Sequence, residues 1–159
     1  MSVDAVLHIR PMSSAEFAEW QATAVEGYAN EVAAARGIAL EDARLIAHQS
    51  YGKFLPNGLA TPTMHLVVGE DIEGARVGIL WIGPNPDGAG PAWIYTIEVE
   101  EHRRAEGWGR ALMGEAERLA RADGHAEIGL NVFGANLVAR GLYESLGYIP
   151  ASIQMRKSL

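Results

Sequence analysis

The run Trp93-Ile94-Tyr95-Thr96-Ile97-Glu98-Val99 leads straight into Glu100-Glu101-His102-Arg103-Arg104-Ala105-Glu106-Gly107-Trp108-Gly109-Arg110-Ala111-Leu112-Met113, and few folds accommodate that order. The first seven residues are rich in β-branched and aromatic side chains, as a strand requires. From Trp108 on, Trp108, Ala111, Leu112, Ala116, Leu119 and Ala120 recur at helical spacing, and Arg110, Glu117, Arg118 and Arg121 are left for solvent. The segment therefore reads as strand, basic glycine-containing turn, helix. The first N–H groups of a helix lack internal partners and carry the positive end of its dipole, so such a junction is an anion site. Gly107 and Gly109 place no Cβ in the path of an oxygen-rich group, and Arg104 can add a charge-assisted contact. The full G-x-G-x-x-G of dinucleotide folds and the P-loop G-x-x-x-x-G-K-[ST] are both absent. The turn points to a phosphate-bearing cofactor without naming it.

A second stretch, Gly129 to Tyr148, contains Asn136, Ala139, Leu142-Tyr143-Glu144 and Leu146-Gly147-Tyr148. Together the two stretches resemble the GNAT superfamily of acetyl-CoA-dependent N-acetyltransferases. That family shows V-x-x-x-x-[RQ]-G-x-G-x-[GA] after its fourth strand and N-x-x-A-x-x-L-Y-E-x-L-G-[FY] after its fifth. Here the first motif is Val99 with Arg104-Ala105-Glu106-Gly107-Trp108-Gly109, and the two motifs fall in the family's order. The match covers residues 61–157. Ala105 stands where glycine is common, and Glu106 puts a carboxylate beside the expected pyrophosphate, so Glu106 is expected to point to solvent.

The resemblance implies an α/β (mixed α+β) fold: a mostly antiparallel central sheet of six to seven strands, with a splayed pair and about four flanking helices. It implies one domain over 1–159, with the first strand and substrate-side helices in 1–60 and the coenzyme-binding core in 61–159. Acetyl-CoA is the implied cosubstrate. Its contacts carry over to Ile97, Val99, Arg104, Ala105, Glu106, Gly107, Trp108, Gly109, Arg110, Asn136, Ala139 and Tyr143.

Composition narrows the classes. At 159 residues, 48% hydrophobic and 21% charged, the chain can bury a full core without staples. It has no cysteine, hence no disulfide, thiolate nucleophile or cysteine-based metal site. Met1-Ser2-Val3-Asp4 does not open a signal peptide, and no apolar stretch approaches the ~20 residues of a membrane span. A cytoplasmic protein that binds no membrane is expected. The net charge of −7 divides as −5 in residues 1–80 and −2 in 81–159, with no basic patch for nucleic acid. An acidic first half is a solubilising surface or an attractor of cationic amines.

Along the chain, Val3 to Met12 reads as a first strand. Ser13 with Glu16 is a capping box for a helix carrying Phe17, Trp20, Ala24 and Tyr28 on one stripe and stopping at Gly37. Ala43, Ile46, Ala47, Ser50, Tyr51 and Phe54 mark a second helix, closed by Pro56-Asn57-Gly58. Trp20, Tyr28, Tyr51 and Phe54 are expected mainly in the core. Met64–Val68 and Val77–Ile82 form a hairpin, and Gly83 to Pro91 an exposed loop. Ala126 to Val132 is the next strand. The helix from Asn136 ends at Gly147, and Ile149 to Lys157 is expected to close the sheet as a final strand or strand pair.

Acetyl transfer to an amine requires a deprotonated nucleophile (a lysine-like amine has a pKa of ~10.4), a polarised thioester carbonyl and a protonated leaving thiolate. Tyr143 occupies the family's usual acid position and, with a reference pKa of ~10, can donate at neutral pH; it also falls on an apolar stripe with Ala139, Leu142 and Leu146. The family polarises the carbonyl with a backbone N–H of its fourth strand, at a bulge that maps to Val99 or its neighbour. Glu98 is the best carboxylate for the base, directly or through a water, although strand alternation sets it opposite Ile97 and Val99. Some relatives place a glutamate on the fifth strand; Asn131 stands there and cannot act as a base. Asn136 is a helix cap, a coenzyme contact, or both. His8, His48, His65, His102 and His125 show no metal spacing, and no metal is inferred. The acceptor, a small-molecule amine or a protein amino group, has no readable signature. A homodimer is compatible with the family, although no residue pattern demands one. The rival readings are a non-catalytic acyl-CoA-binding sensor, against which Tyr143 argues, and an interaction domain that has lost the site.

Overall fold

A computed structural model describes residues 6–159. Its element order is β1 (His8–Pro11), α1 (Ser14–Arg36), α2 (Leu40–Phe54), β2 (His65–Glu70), β3 (Arg76–Gly83), β4 (Ala92–Val99), α3 (Trp108–Ala122), β5 (Ile128–Leu130) and α4 (Leu137–Ser145). The strands lie side by side in chain order, antiparallel from β1 to β4 and parallel between β4 and β5.

Local chemistry accounts for the helix boundaries. Ser13 and Glu16 form the capping box at α1, and Gly37 ends it in the left-handed conformation at φ 65°. At the end of α4, Gly147 has φ 90°, and the Tyr148 N–H reaches back to the Tyr143 carbonyl, closing a Schellman motif.

Both faces of the sheet are covered, which is why β2 and β3 read as continuous apolar runs rather than alternating ones. Leu66, Val68, Ile79 and Trp81 pack under α1 and α2 with Trp20, Ala29, Val32, Ala43, Ala47 and Tyr51. Val67, Leu80, Ile82 and Ile94 pack on the other face with Leu112, Met113, Ala116, Leu119 and Ala120 of α3. Leu142, Tyr143 and Leu146 of α4 join that second core at its edge. Trp20, Tyr28, Tyr51 and Phe54 do pack in or against the first core, as expected of them.

The strand count requires a correction. The sheet has five strands among the described residues, not six or seven, and Ile149 to Lys157 forms neither a final strand nor a strand pair. Every residue from Ile149 to Leu159 is exposed. β5 is only three residues long, shorter than the Ala126–Val132 stretch expected, so its edge offers little ladder within the chain. Pro150 also lacks a donor. The expected first strand is trimmed to His8–Pro11, and Val3 to Ala5 lie outside the described residues. No described helix is long and apolar enough to cross a membrane.

Candidate active site

The site is organised by a change of phase in β4. At the start of the strand the Ala92 N–H donates to the carbonyl of Glu127, the residue before β5; past its end the Glu100 N–H donates to the Val77 carbonyl of β3. Even-numbered residues thus face opposite neighbours at the two ends. The reversal occurs where Trp81 pairs with Thr96 but Ile82 pairs with Ile94, leaving Tyr95 as the extra residue of a bulge. Pairing with β5 stops at once, its last rung being Ile94 with Leu130. β5 itself ends there, so β4 runs on from Tyr95 to Val99 with no ladder partner on that side among the described residues. In the restored alternation, Ile97 and Val99 turn their backbone N–H and C=O groups into the opening. The polarising N–H was expected at Val99 or its neighbour, in a strand splayed by a bulge; the bulge falls at Tyr95, four residues earlier in the chain.

The bulge also sorts side chains. Ile94, Ile97 and Val99 pack on the α3 face, whereas Tyr95 packs under α1 and α2. Tyr95 stacks on Trp81 at 4.5 Å between ring centroids and donates its hydroxyl to the Pro84 carbonyl at 2.7 Å. By alternation from Ile97, Glu98 also points to the α1/α2 face. Its carboxylate is exposed and has no hydrogen-bond or ion-pair partner among the described residues. Tyr51 lies in the same region, and burial pushes its phenol up to about 12, with Glu31 and Glu98 acting in the same direction. Glu31 also borders a cleft of ≈ 500 Å³ with Ala34, Ala35, Phe133, Gly134, Ala135, Asn136 and Arg156.

At the mouth of the opening the chain makes a short 3-10 turn, Glu101–Arg103, and enters α3. Gly107, the residue before the helix, has φ 92°, which only glycine adopts freely. Ala105 has φ 62°, which explains why glycine is common at that position. Holding alanine there costs about 1–2 kcal/mol. No N–H from Ala105 to Arg110 finds a partner among the described residues; the helical ladder begins with Ala111 N–H to the Gly107 carbonyl. Gly109 serves a different end. A Cβ there would lie 3.1 Å from a Leu142 methyl, so its absence lets α3 start against α4.

Glu106 is half exposed yet tethered rather than free in solvent. Its carboxylate accepts 2.9 Å bonds from Arg103 Nε and from the Trp108 indole, and these bonds, Arg103 first, hold it below the usual carboxylate range. Arg103 also pairs with Asp71 at 2.9 Å and lies over the Trp108 ring. The carboxylate that threatened the turn is thus neutralised on its flank. Arg103 was missed in the sequence, although its three-residue spacing to Glu106 was a usable signal.

The remaining predicted residues sort plainly. Trp108 is buried, so only its backbone can serve a ligand. Arg104 is exposed and reaches the Val99 carbonyl at 3.4 Å; Arg110 is drawn to Ser145 Oγ at 2.7 Å. Asn136 caps α4 by accepting from the Ala139 N–H at 3.1 Å. Tyr143 is half-buried, and burial raises its phenol above the ordinary value, so it is protonated at neutral pH. The described residues contain no cluster of metal-ligating side chains.

Comparison with known proteins bears on this geometry. Residues 21–148 match the acetyltransferase (GNAT) family. This chain belongs to it. Along its sequence it is 33% identical over 152 residues to the uncharacterized N-acetyltransferase YycN of Bacillus subtilis, covering 95% of this chain and 97% of that one. The crystal structure of YycN superposes with a TM-score of 0.87 at 32% identity, over 97% of this chain and 99% of that one. A mycothiol acetyltransferase of Beutenbergia cavernae is 35% identical over 92 residues, which is 58% of this chain and 30% of that protein. The GNAT chain described here is an acyltransferase, and its family uses acetyl-CoA as cosubstrate.

Proposed function

We propose that the protein transfers the acetyl group of acetyl-CoA to a primary amine by direct attack of the amine. The observation that carries this reading is the bulge at Tyr95, which opens β4 from β5 and turns Ile97 and Val99 into the gap beside the unpaired N–H row from Ala105 to Arg110. The chain fits the coenzyme at its most demanding point. Successive free N–H groups at a helix start, with Arg104 at the rim, match the charge and spacing of a pyrophosphate. Acetyl-CoA, when bound, supplies the activated acetyl carbon. The chain does the rest: the Ile97 and Val99 backbone polarises the carbonyl, and Tyr143 delivers its proton to the departing sulfur. Glu98, on the other face of β4, takes the proton of the amine directly or through a water. Asn136 fixes the start of α4 and with it the position of Tyr143.

The acceptor side favours a cationic amine, because Glu98 and Glu31 lie in the acidic half of the site near Tyr51 and the α1 end of the cleft. The sensor reading keeps the N–H row but gives Tyr143 and Glu98 no task.

Thiol release from acetyl-CoA, measured with polyamine, aminoglycoside and lysyl-peptide acceptors, tests the proposal. Amine-dependent release is expected, and Tyr143→Phe should reduce kcat by about 100-fold while binding acetyl-CoA as before. Saturable acetyl-CoA binding without release toward any amine class would favour the sensor.

A further inference from the structure

The arginines around the α3 entry divide into two kinds. Arg104 and Arg110 form no ion pair among the described residues; the first reaches the Val99 carbonyl and the second Ser145 Oγ. Arg103 is held by two carboxylates at once. Its Nη1 lies 2.9 Å from Asp71 Oδ2 and its Nε 2.9 Å from Glu106 Oε2, with the guanidinium over the Trp108 ring at 5.2 Å from the centroid.

The far end of that bridge is fixed by the backbone. Asp71 follows β2, and its Oδ1 accepts from the Glu73 and Ala75 N–H groups at 3.0 and 2.9 Å. Its other oxygen is left for Arg103. The near end lies on the anion site itself, because Glu106 contributes one of the free N–H groups between Ala105 and Arg110. Its carboxylate is therefore within one side-chain length of any anion bound there. Arg103 and the Trp108 indole both donate to Oε2, and Oε1 has no partner among the described residues. The neutral indole can hold the carboxylate in place but cannot cancel its charge. Only Arg103 does both. An uncompensated carboxylate at that range repels a polyanion, and solvent at a half-exposed turn screens the repulsion only in part.

We propose that Arg103 is the positioning residue of the coenzyme turn: braced by Asp71, it holds Glu106 on the flank and cancels its charge, so that the N–H row can receive a pyrophosphate. This role rests on the acetyl-CoA reading of that row, and it touches neither the acetyl group nor the amine. It also ties coenzyme affinity to the turn between β2 and β3, which no ligand need contact.

Calorimetric titration of acetyl-CoA into four full-length proteins tests it: the unaltered chain, Arg103→Ala, Glu106→Gln and the double variant. Arg103→Ala should weaken binding about tenfold. Adding Glu106→Gln should restore most of that loss, since the amide oxygen still accepts from the indole and only the charge is removed. Glu106→Gln alone should tighten binding. Arg103→Ala and the double variant lack the same contacts to Asp71 and Trp108, so a difference between them reads the carboxylate rather than the fold. Should the alanine chain lose its melting transition, Arg103→Gln, which can still bond Asp71, takes its place with the same loss and rescue expected. A loss that Glu106→Gln does not relieve would overturn the proposal, because Arg103 would then touch the phosphates itself or merely hold the fold. So would an Arg103→Ala chain that binds as tightly as the unaltered one. Unaltered protein that binds no acetyl-CoA would instead remove the coenzyme reading, and this role with it.

Discussion

In the proposed function, the two faces of β4 recognise their ligands with different parts of the chain. On the α3 side the site is backbone: free N–H groups from Ala105 to Arg110, placed by Gly107 and by the contact of Gly109 with Leu142. On the α1/α2 side it is side chain: Glu98 and Glu31, beside a buried aromatic cluster of Trp20, Tyr51, Trp81 and Tyr95. A backbone site requires particular residues only where geometry forces them, so it leaves a short, fixed pattern. A side-chain site changes with every acceptor. One chain can therefore keep the donor end constant while the acceptor end varies, and the bulge at Tyr95 lets one strand serve both.

Substitutions on either face sharpen this contrast. Trp81→Ala should be the most damaging, destabilising the fold by about 3–5 kcal/mol in urea unfolding, because Trp81 is 2% exposed and supports Trp20, Tyr51 and Tyr95 together. A loss below 1 kcal/mol would show that the aromatic floor does not depend on it. Glu98→Gln should lower kcat/KM for the amine about tenfold or more and leave acetyl-CoA affinity unchanged. Equal loss of both would mean that the faces are not separable. Ser13→Ala removes a cap remote from both faces and should cost about 1 kcal/mol without touching either substrate. Ala105→Gly relieves the left-handed strain at φ 62° and should stabilise by up to about 1 kcal/mol, with acetyl-CoA binding retained.

Acid provides a check away from the site. Arg10 bonds Glu16 at 2.7 Å and, with the Ser13 N–H, lowers its carboxyl from its ordinary 4.5 to about 2. A depressed folded-state value means that this contribution is complete above pH 4.5 and is lost as the pH falls toward 2. Glu16→Gln should flatten that part of the stability profile. An unchanged profile would assign the acid response to other carboxylates.

Much of this molecule was legible in its sequence, and the gaps have physical causes. The capping box at Ser13, the stops at Gly37 and Gly147, and the α3 entry at Gly107 are each dictated by one residue's own chemistry, so they could be read directly. The bulge at Tyr95 could not, because an aromatic suits either face of a strand and the extra residue appears only against β3 and β5. Ala105 concealed a left-handed position behind a residue that seldom adopts one. At Trp108 the sequence could not divide the residue: its ring belongs to the core and its indole N–H to Glu106, which leaves only its backbone N–H to the turn. The stretch beyond Tyr148 has the period of a strand, which fixes a conformation but not a partner, and among the described residues it pairs with none.

The central claim is that the backbone from Ala105 to Arg110 receives the pyrophosphate of acetyl-CoA. Titration of acetyl-CoA into isotope-labelled protein, followed through the backbone amide resonances, tests it most directly. The account predicts saturable shifts that are largest at Glu106, Gly107, Trp108 and Gly109, with smaller ones at Ile97 and Val99. Saturation with those amides unmoved, or no binding at all, would contradict it.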